Sequence, residues 1–429
     1  MKCTLRPRSA QALKFGYVLL DGCGDRPVPR LNYTTPLEAA YTPNLDIIAA
    51  RSRLGSVTTV GKGIAPESDI AVFNMLGYSF GKGYPGRGVV EAVGAGLEVR
   101  DGDLAFRANF ASARGKRIVD RRAGRNLTQE EGGRLAEEVG KISLKGATVF
   151  FKTTVSYRGV LVIRAGRPLS AAVSNTDPAY VRIGGFGAAK EVTGADEVMR
   201  CVPEAGTAAA ALAAELVNEF TAKVQKILEK SEVNRDRVAA GKLPANCVLL
   251  RDAGDHLPVL PSFEERHGLK GTALVEYPAE VGIAKLLGMG MVPIADRRDV
   301  KEKASKFLSE VREGTVVYVH IKGPDEFGHD GDAQGKRRSI ESIDRDFFSA
   351  VKGMTDDVRL GVSCDHATPC TIKMHSDDPV PLLVTGPKGD GKRFTEANAK
   401  LGSLGHRLGK DVLDLVTETP VRQNGLSGS

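Results

Sequence analysis

The sequence predicts an α/β fold on a mostly parallel sheet, with a second, smaller α/β domain inserted into it. Three observations carry this expectation. Short apolar segments alternate with helical patterns along the chain. Many of those segments are nearly continuous apolar runs, as strands buried on both faces should be. Acidic residues and histidines follow directly after several of them, and ligands gather at the carboxyl ends of strands in open α/β sheets.

Strands are expected at FGYVLL (15–20), ATVFFKT (147–153), GVLVIRA (159–165), CVLLRD (247–252), TALVEY (272–277), TVVYVHI (315–321), RLGVSC (359–364) and VPLLVTG (380–386). A helix is expected from about Thr207 to Lys230, with Ala, Leu, Val and Phe on one face and Glu and Lys on the other. The chain of 429 residues exceeds what one hydrophobic core usually serves. Between about 85 and 210 its texture changes to many arginines and Gly-rich turns. The predicted division is a discontinuous domain of 1–84 and 215–429, with 85–214 inserted.

Composition narrows the function. The hydrophobic fraction is 41%, and no apolar run reaches the length of a membrane span. The segment MKCTLRPRSAQALKFGYVLL reads as the approach to a first strand rather than a signal peptide. Six scattered cysteines (Cys3, Cys23, Cys201, Cys247, Cys364, Cys370), with no CxxC, fit a reduced cytoplasmic protein. The net charge of +7 comes without a Lys-rich tail, an aromatic–basic interleave or a helix-turn-helix signal. It points to solubility or a small anionic substrate, not nucleic acid or a membrane.

The chemistry-bearing residues stand at strand ends. Asp21 follows FGYVLL, Asp325 and His329 follow TVVYVHI in KGPDEFGHDGD, and Asp365 and His366 follow RLGVSC, with His375 in KMHSDDP. Asp325 and His329 are expected on a loop. Imidazole with carboxylate suits Zn²⁺ or Mn²⁺. The set exceeds one tetrahedral site, and two ions a few ångströms apart are a recurring solution for phosphoryl transfer. Taken alone, Asp325 could cap a turn and His329 could be a solvated residue.

In GKGIAPESDIAVFNMLG, Pro66 and Ser68 mark a helix start and Gly77 its end. Ser68 there is either a cap or a nucleophile facing backbone N–H groups that favour a phosphate. A coordinated metal would lower the pKa of its hydroxyl. FRANF (106–110) and DRRAGR (120–125) gather arginines suited to carboxylate or phosphate, or to a solvated basic face. Arg87, Arg158 and Arg251 are weaker candidates. Lys322 could offset charge on a phosphoryl group. His256, His267, His320 and His406 stand apart and receive no role. His320 reads as packed within its strand.

LLDGCGDRP (20–27), APESDIAVFNMLGY (65–78), GYPGRGVVEA (83–92), GDLAFRANFA (102–111), DRRAGR (120–125), NTDP (175–178), FEERHGLKG (263–271), HIKGPDEFGHDGD (320–332), DHATPC (365–370) and HSDDPVPLLVTG (375–386) occur in this order along nearly the whole chain. In these motifs the sequence closely resembles the archaeal-type, cofactor-independent phosphoglycerate mutases of the alkaline phosphatase superfamily. The resemblance implies an alkaline-phosphatase-like core with helices on both faces, an inserted domain, and an active site in the cleft between them. It implies two divalent ions, typically Mn²⁺ with Mg²⁺, Co²⁺ or Zn²⁺ as variants. Asp325, His329 and His375 would hold one, and Asp21, Ser68, Asp365 and His366 the other. It further implies a phosphoserine on Ser68 and interconversion of 3- and 2-phosphoglycerate without 2,3-bisphosphoglycerate, in glycolysis and gluconeogenesis. Arg107, Asn109, Asp120, Arg121, Arg125 and Arg158 would bind substrate, and Lys322 would meet the phosphate. Two positions depart from the pattern: Val281-Gly282 where Arg-Gly is expected, and Ser363-Cys364 before the Asp-His pair. A metal-dependent phosphatase or phosphonate-acting hydrolase of the same superfamily is the alternative activity. A small-anion-binding protein without chemistry is a third reading, disfavoured because every ligand position is filled. Monomer and homo-oligomer stay open.

Overall fold

A computed structural model describes residues 13–80, 83–183, 186–189, 196–354 and 357–418. Cys3 and most of the N-terminal segment lie outside them. The chain divides into two compact units. The first comprises 1–79, 261–276 and 287–429; the second comprises 80–260 and 277–286.

The first unit is built on an eight-stranded sheet. Its order is Gly290–Met291, Lys270–Leu274, Thr315–Ile321, Lys14–Leu20, Val358–Cys364, Val380–Thr385, Ser52–Thr58 and Gly405–Leu408. All run parallel except Val380–Thr385, which is antiparallel to both neighbours. Thr315–Ile321 is buried at every residue, as its unbroken apolar run requires. Register decides where the chemistry goes. Leu20 lies opposite both Ile321 and Cys364, so three strands end level. The next residues, Asp21, Lys322 and Asp365, therefore leave the sheet at one edge. The Asp21 N–H donates to Ile321 O at 3.0 Å and fixes the first of them.

A buried polar cluster sits beside these strands. Lys336 Nζ pairs with Asp25 at 2.8 Å, and both side chains are fully buried. Glu396 accepts from Thr35 Oγ1 at 2.7 Å and from the Asp25 N–H at 3.2 Å. Burial outweighs these hydrogen bonds and pushes Glu396 from 4.5 up to about 7. Folding thus takes up a proton between those pH values. This group makes the fold less stable as pH rises through the window, and the loss stays above it. Glu396→Gln is expected to flatten that slope of Tm against pH and to raise Tm most above pH 7. An unchanged slope would show that Glu396 ionises as freely in the fold as in the unfolded chain.

The second unit is an antiparallel sheet. Arg117–Asp120, Leu104–Arg114, Arg158–Ala165 and Ala147–Thr153 follow in order, and Cys247–Gly254 also pairs with Leu104–Arg114. Side chains alternate along the long central strand. Leu104, Phe106, Ala108 and Phe110 pack with Val217, Phe220 and Val224 of the helix Ala208–Leu228. Ala105 joins Val89 and Ala92 of the helix Arg87–Gly94 on the other face, which Arg107 and Asn109 share by parity.

The boundary expected at 214/215 falls inside the helix Ala208–Leu228, whose apolar side fills the second unit's core; that unit runs on to Leu260. The helix starts where expected, with Thr207 Oγ1 accepting from the Ala210 N–H. All eight expected strands are present, although the one predicted at 272–277 ends at Leu274. Ser363 Oγ donates to Pro381 O at 2.8 Å, which explains a hydroxyl in that strand. The described cysteines are buried and free. Among the described residues no helix is long and apolar enough to cross a membrane.

Candidate active site

The first unit gathers Asp21, Ser68, Lys322, Asp325, His329, Asp365, His366 and His375 at the level strand ends. Asp325 and His329 were expected on a loop; they lie on the seven-residue helix Pro324–Asp330. Gly323, at φ 139°, turns the chain out of the strand, and Pro324 opens the helix. The i, i+4 spacing then sets His329 Nε2 3.5 Å from Asp325 Oδ2.

Ser68 is the first residue of the helix Ser68–Met75. Glu67 occupies the cap position, so the Ser68 side chain has no capping role. Its Oγ lies 3.1 Å from His366 Nε2 and the residue is buried. Gly77, at φ +90°, ends the helix as expected.

Three imidazoles turn the same nitrogen inward. His375 Nδ1 donates to Pro66 O at 2.8 Å and His329 Nδ1 to Lys373 O at 3.1 Å, because a carbonyl can only accept. The Thr368 hydroxyl donates to Asp325 Oδ1 at 2.6 Å, so its oxygen accepts from His366 Nδ1 at 3.1 Å. Each Nε2 is thereby left as the inward donor atom, the arrangement that orients metal-binding histidines.

The donor atoms form two groups able to hold a cation, Asp325–His366–His375 and Asp21–His320–Asp365. In the first, His375 Nε2 lies 3.5 Å from Asp325 Oδ1 and 3.2 Å from His329 Nε2. Two imidazole nitrogens that close, each ring protonated at Nδ1, need a proton or a cation between them. Burial lowers His375, but the hydrogen bond and charge of Asp325 outweigh it and push the imidazole up to about 9. Burial would raise Asp325, but the three histidines hold it well below the usual range.

In the second group, Asp365 Oδ1 accepts from the N–H groups of Gly22 at 2.9 Å and His366 at 3.0 Å. Its buried Oδ2 has no hydrogen-bond partner and lies 3.4 Å from His366 Nε2. Burial would raise Asp365, but His366, His320 and Lys322 hold it below the usual range. Burial, with the charges of Asp325 and Asp365, pushes Asp21 up to about 7 against Lys322, whose Nζ is 3.2 Å from Asp21 Oδ1. Burial pushes His366 down to about 3, so it is neutral at pH 7. Buried carboxylate oxygens and inward nitrogens facing one another are what divalent cations satisfy, and the residues fit such ions.

The second unit gathers a different set. Arg107 lies directly opposite Arg251 in the antiparallel pair. Like charges so placed repel, and each has buried carboxylates to offset this. Arg107 Nε is 3.0 Å from Glu91 Oε1 and its Nη1 is 3.3 Å from Asp252 Oδ2. Burial would raise Glu91, but Arg107 and Arg87 hold it below the usual range. Arg121 Nη2 reaches Asp177 Oδ2 at 2.6 Å, and Arg251 Nη1 meets the same oxygen at 3.5 Å. Both guanidinium groups lie over the Tyr180 ring, at 5.2 and 4.2 Å from its centre. With its amide oxygen toward the guanidinium, Asn109 accepts from Arg251 at 3.0 Å.

The remaining candidates are placed otherwise. Asp120 Oδ1 accepts from the N–H groups of Arg122 and Gly124 and shapes its own turn. Arg125 is exposed, at φ +55°. Arg158 lies 5.7 Å from the Tyr157 ring centre. Sequence reasoning passed over His320, Glu91 and Asp177 as site residues. For His320 a signal existed: strand alternation puts it on the same side as Lys322.

The sequence model of the family described as 2,3-bisphosphoglycerate-independent phosphoglycerate mutase matches residues 49–234. The protein of that name from Aeropyrum pernix is 41% identical over 417 residues, covering 92% of this chain and 97% of that one. A solved structure of a protein from Pyrococcus horikoshii has a TM-score of 0.74 and 30% identity, over 94% of this chain and 96% of that chain. A cofactor-independent phosphoglycerate mutase from Thermoplasma acidophilum aligns at a TM-score of 0.60 with 31% identity, over 94% of this chain and 98% of that chain. With relatives this similar across almost its full length, the chain belongs to the 2,3-bisphosphoglycerate-independent phosphoglycerate mutase family.

Proposed function

We propose that this protein is an enzyme that interconverts 3-phosphoglycerate and 2-phosphoglycerate by moving the phosphoryl group through Ser68. The observation that supports this most is a buried serine hydroxyl, at a helix start, beside two groups of cation-binding donors. Ser68 Oγ gives up its proton and attacks phosphorus, and the bond from phosphorus to the glycerate oxygen breaks. The freed oxygen takes a proton. The other glycerate hydroxyl then gives up its proton and attacks the phosphoserine, and Ser68 Oγ leaves and takes a proton back. No second phosphate donor enters, so 2,3-bisphosphoglycerate is not needed.

Asp325, His329 and His375 would hold one divalent cation, and Asp21, Ser68, Asp365 and His366 the other. Mixed imidazole and carboxylate donors suit Mn²⁺ or Zn²⁺. When bound, such ions lower the pKa of the serine hydroxyl and offset charge on the phosphoryl oxygens. The first helical turn at Ser68 adds backbone N–H groups that favour the anion. Lys322 supplies a further positive charge at Asp21. In the second unit, Arg107, Asn109, Arg121 and Arg158 are the residues proposed for the substrate carboxylate and hydroxyls. Asp120, at the end of the strand Arg117–Asp120, and Arg125, in the turn after it, are proposed for the same role.

The test is a product assay. Protein loaded with Mn²⁺ is incubated with 3-phosphoglycerate and no bisphosphoglycerate, and followed by phosphorus NMR. The expected result is 2-phosphoglycerate at constant total ester. Inorganic phosphate in its place would mean that water reaches the phosphoserine, and the enzyme would be a phosphatase.

A further inference from the structure

We infer that His320 is a ligand of the inner cation, which is then held by a four-donor cage of Asp21, His320, Asp365 and His366. This rests on the cation reading of the proposed function and deepens it, since that reading leaves His320 without a role.

The geometry carries it. His320 Nε2 lies 3.4 Å from Asp365 Oδ2 and 3.8 Å from Asp21 Oδ1. His366 Nε2 lies 3.4 Å and 3.7 Å from the same two oxygens. Each nitrogen thus faces both carboxylates. Four donors about 2.0–2.2 Å from a central ion stand roughly 3.3–3.6 Å apart when tetrahedral. The four distances match or slightly exceed that edge, as expected of a cage that tightens on its ion. Ser68 Oγ, 3.1 Å from His366 Nε2, is placed to approach as a fifth donor.

The scaffold around His320 is rigid and dry. The residue is 1% exposed, in a strand buried along its whole length. Its carbonyl accepts from Lys303 Nζ at 3.0 Å, and that lysine is itself buried and paired with Glu276. Ligation turns Nε2 and the buried Asp365 Oδ2 that faces it at 3.4 Å onto one ion.

The test uses the full chain loaded with two Co²⁺ and proton NMR of the exchangeable, hyperfine-shifted imidazole N–H signals. With His320 ligated, the unmodified protein shows four such signals, from His320, His329, His366 and His375. Three signals at full loading would overturn the inference and leave the two-cation reading standing. No shifted signal and no bound Co²⁺ would overturn both. His320→Gln keeps a hydrogen-bond donor near Asp365 but removes the ligand nitrogen. It is expected to lose one shifted signal and to bind one of the two ions at least tenfold more weakly. Unchanged affinity for both ions in that variant would also overturn the inference.

Discussion

Replacing Ser68 with alanine is expected to lower kcat by at least about 10⁴-fold, the scale on which removal of a covalent nucleophile acts. Ser68 Oγ is the hydroxyl that His366 Nε2 faces, at 3.1 Å. The loss should be chemical rather than structural. Glu67, not Ser68, occupies the cap position, and alanine is a good helix former. The variant should therefore melt within a few degrees of the unmodified protein and still bind both cations, with the inner one weakened. Turnover above about a tenth of normal would remove Ser68 from the nucleophile's role.

Asp325→Asn is expected to cost roughly 10³-fold in kcat and one of two bound cations. A metal supplies several kcal/mol to such a transition state, and about 1.4 kcal/mol is a factor of ten. Asp325 is shared: His329 and His375 each lie 3.5 Å from one of its oxygens, and the Thr368 hydroxyl donates to it at 2.6 Å. Asparagine keeps the shape and an acceptor for Thr368, but removes the charge. It is also the carboxylate that pushes His375 up to about 9. Without it the metal-free His375 should titrate below about 9, because burial is then opposed only by the Glu67 charge and the hydrogen bond to Pro66. Metal content by mass spectrometry and histidine titration by NMR check the two halves. Two bound ions and a kcat within tenfold of normal would exclude Asp325 as a ligand.

What the sequence revealed followed burial. TVVYVHI and FGYVLL read as strands because both of their faces are covered, leaving the pattern uninterrupted. Polar residues just beyond such runs have no packing reason to be there, so Asp21 and Asp365 stood out. Ser68 stood out through local helix signals, Pro66 before it and Gly77 after it. Leu104–Arg114 is the longest strand of its sheet, yet it did not read as one. Arg107 and Asn109 break its apolar run, and the carboxylate that helps offset Arg107 lies 145 residues away. The helix at Pro324–Asp330 was hidden by its three glycine and aspartate neighbours, which resemble a turn. The 214/215 boundary failed because the Ala-rich helix packs as one piece in the second unit. His320 was hidden by its strand: Val319 and Ile321 made it look packed, and only the register with Leu19 sets it beside Asp21 and Asp365.

A phosphoryl group that passes through Ser68 leaves a phosphoserine that can be trapped. Protein turning over 3-phosphoglycerate would be quenched in acid within milliseconds, digested and mapped by mass spectrometry. The expected result is one added phosphate on the peptide holding Ser68, absent from protein quenched without substrate and from the Ser68→Ala variant. Phosphate on another residue, or 2-phosphoglycerate formed with no phosphopeptide at any quench time, would contradict it.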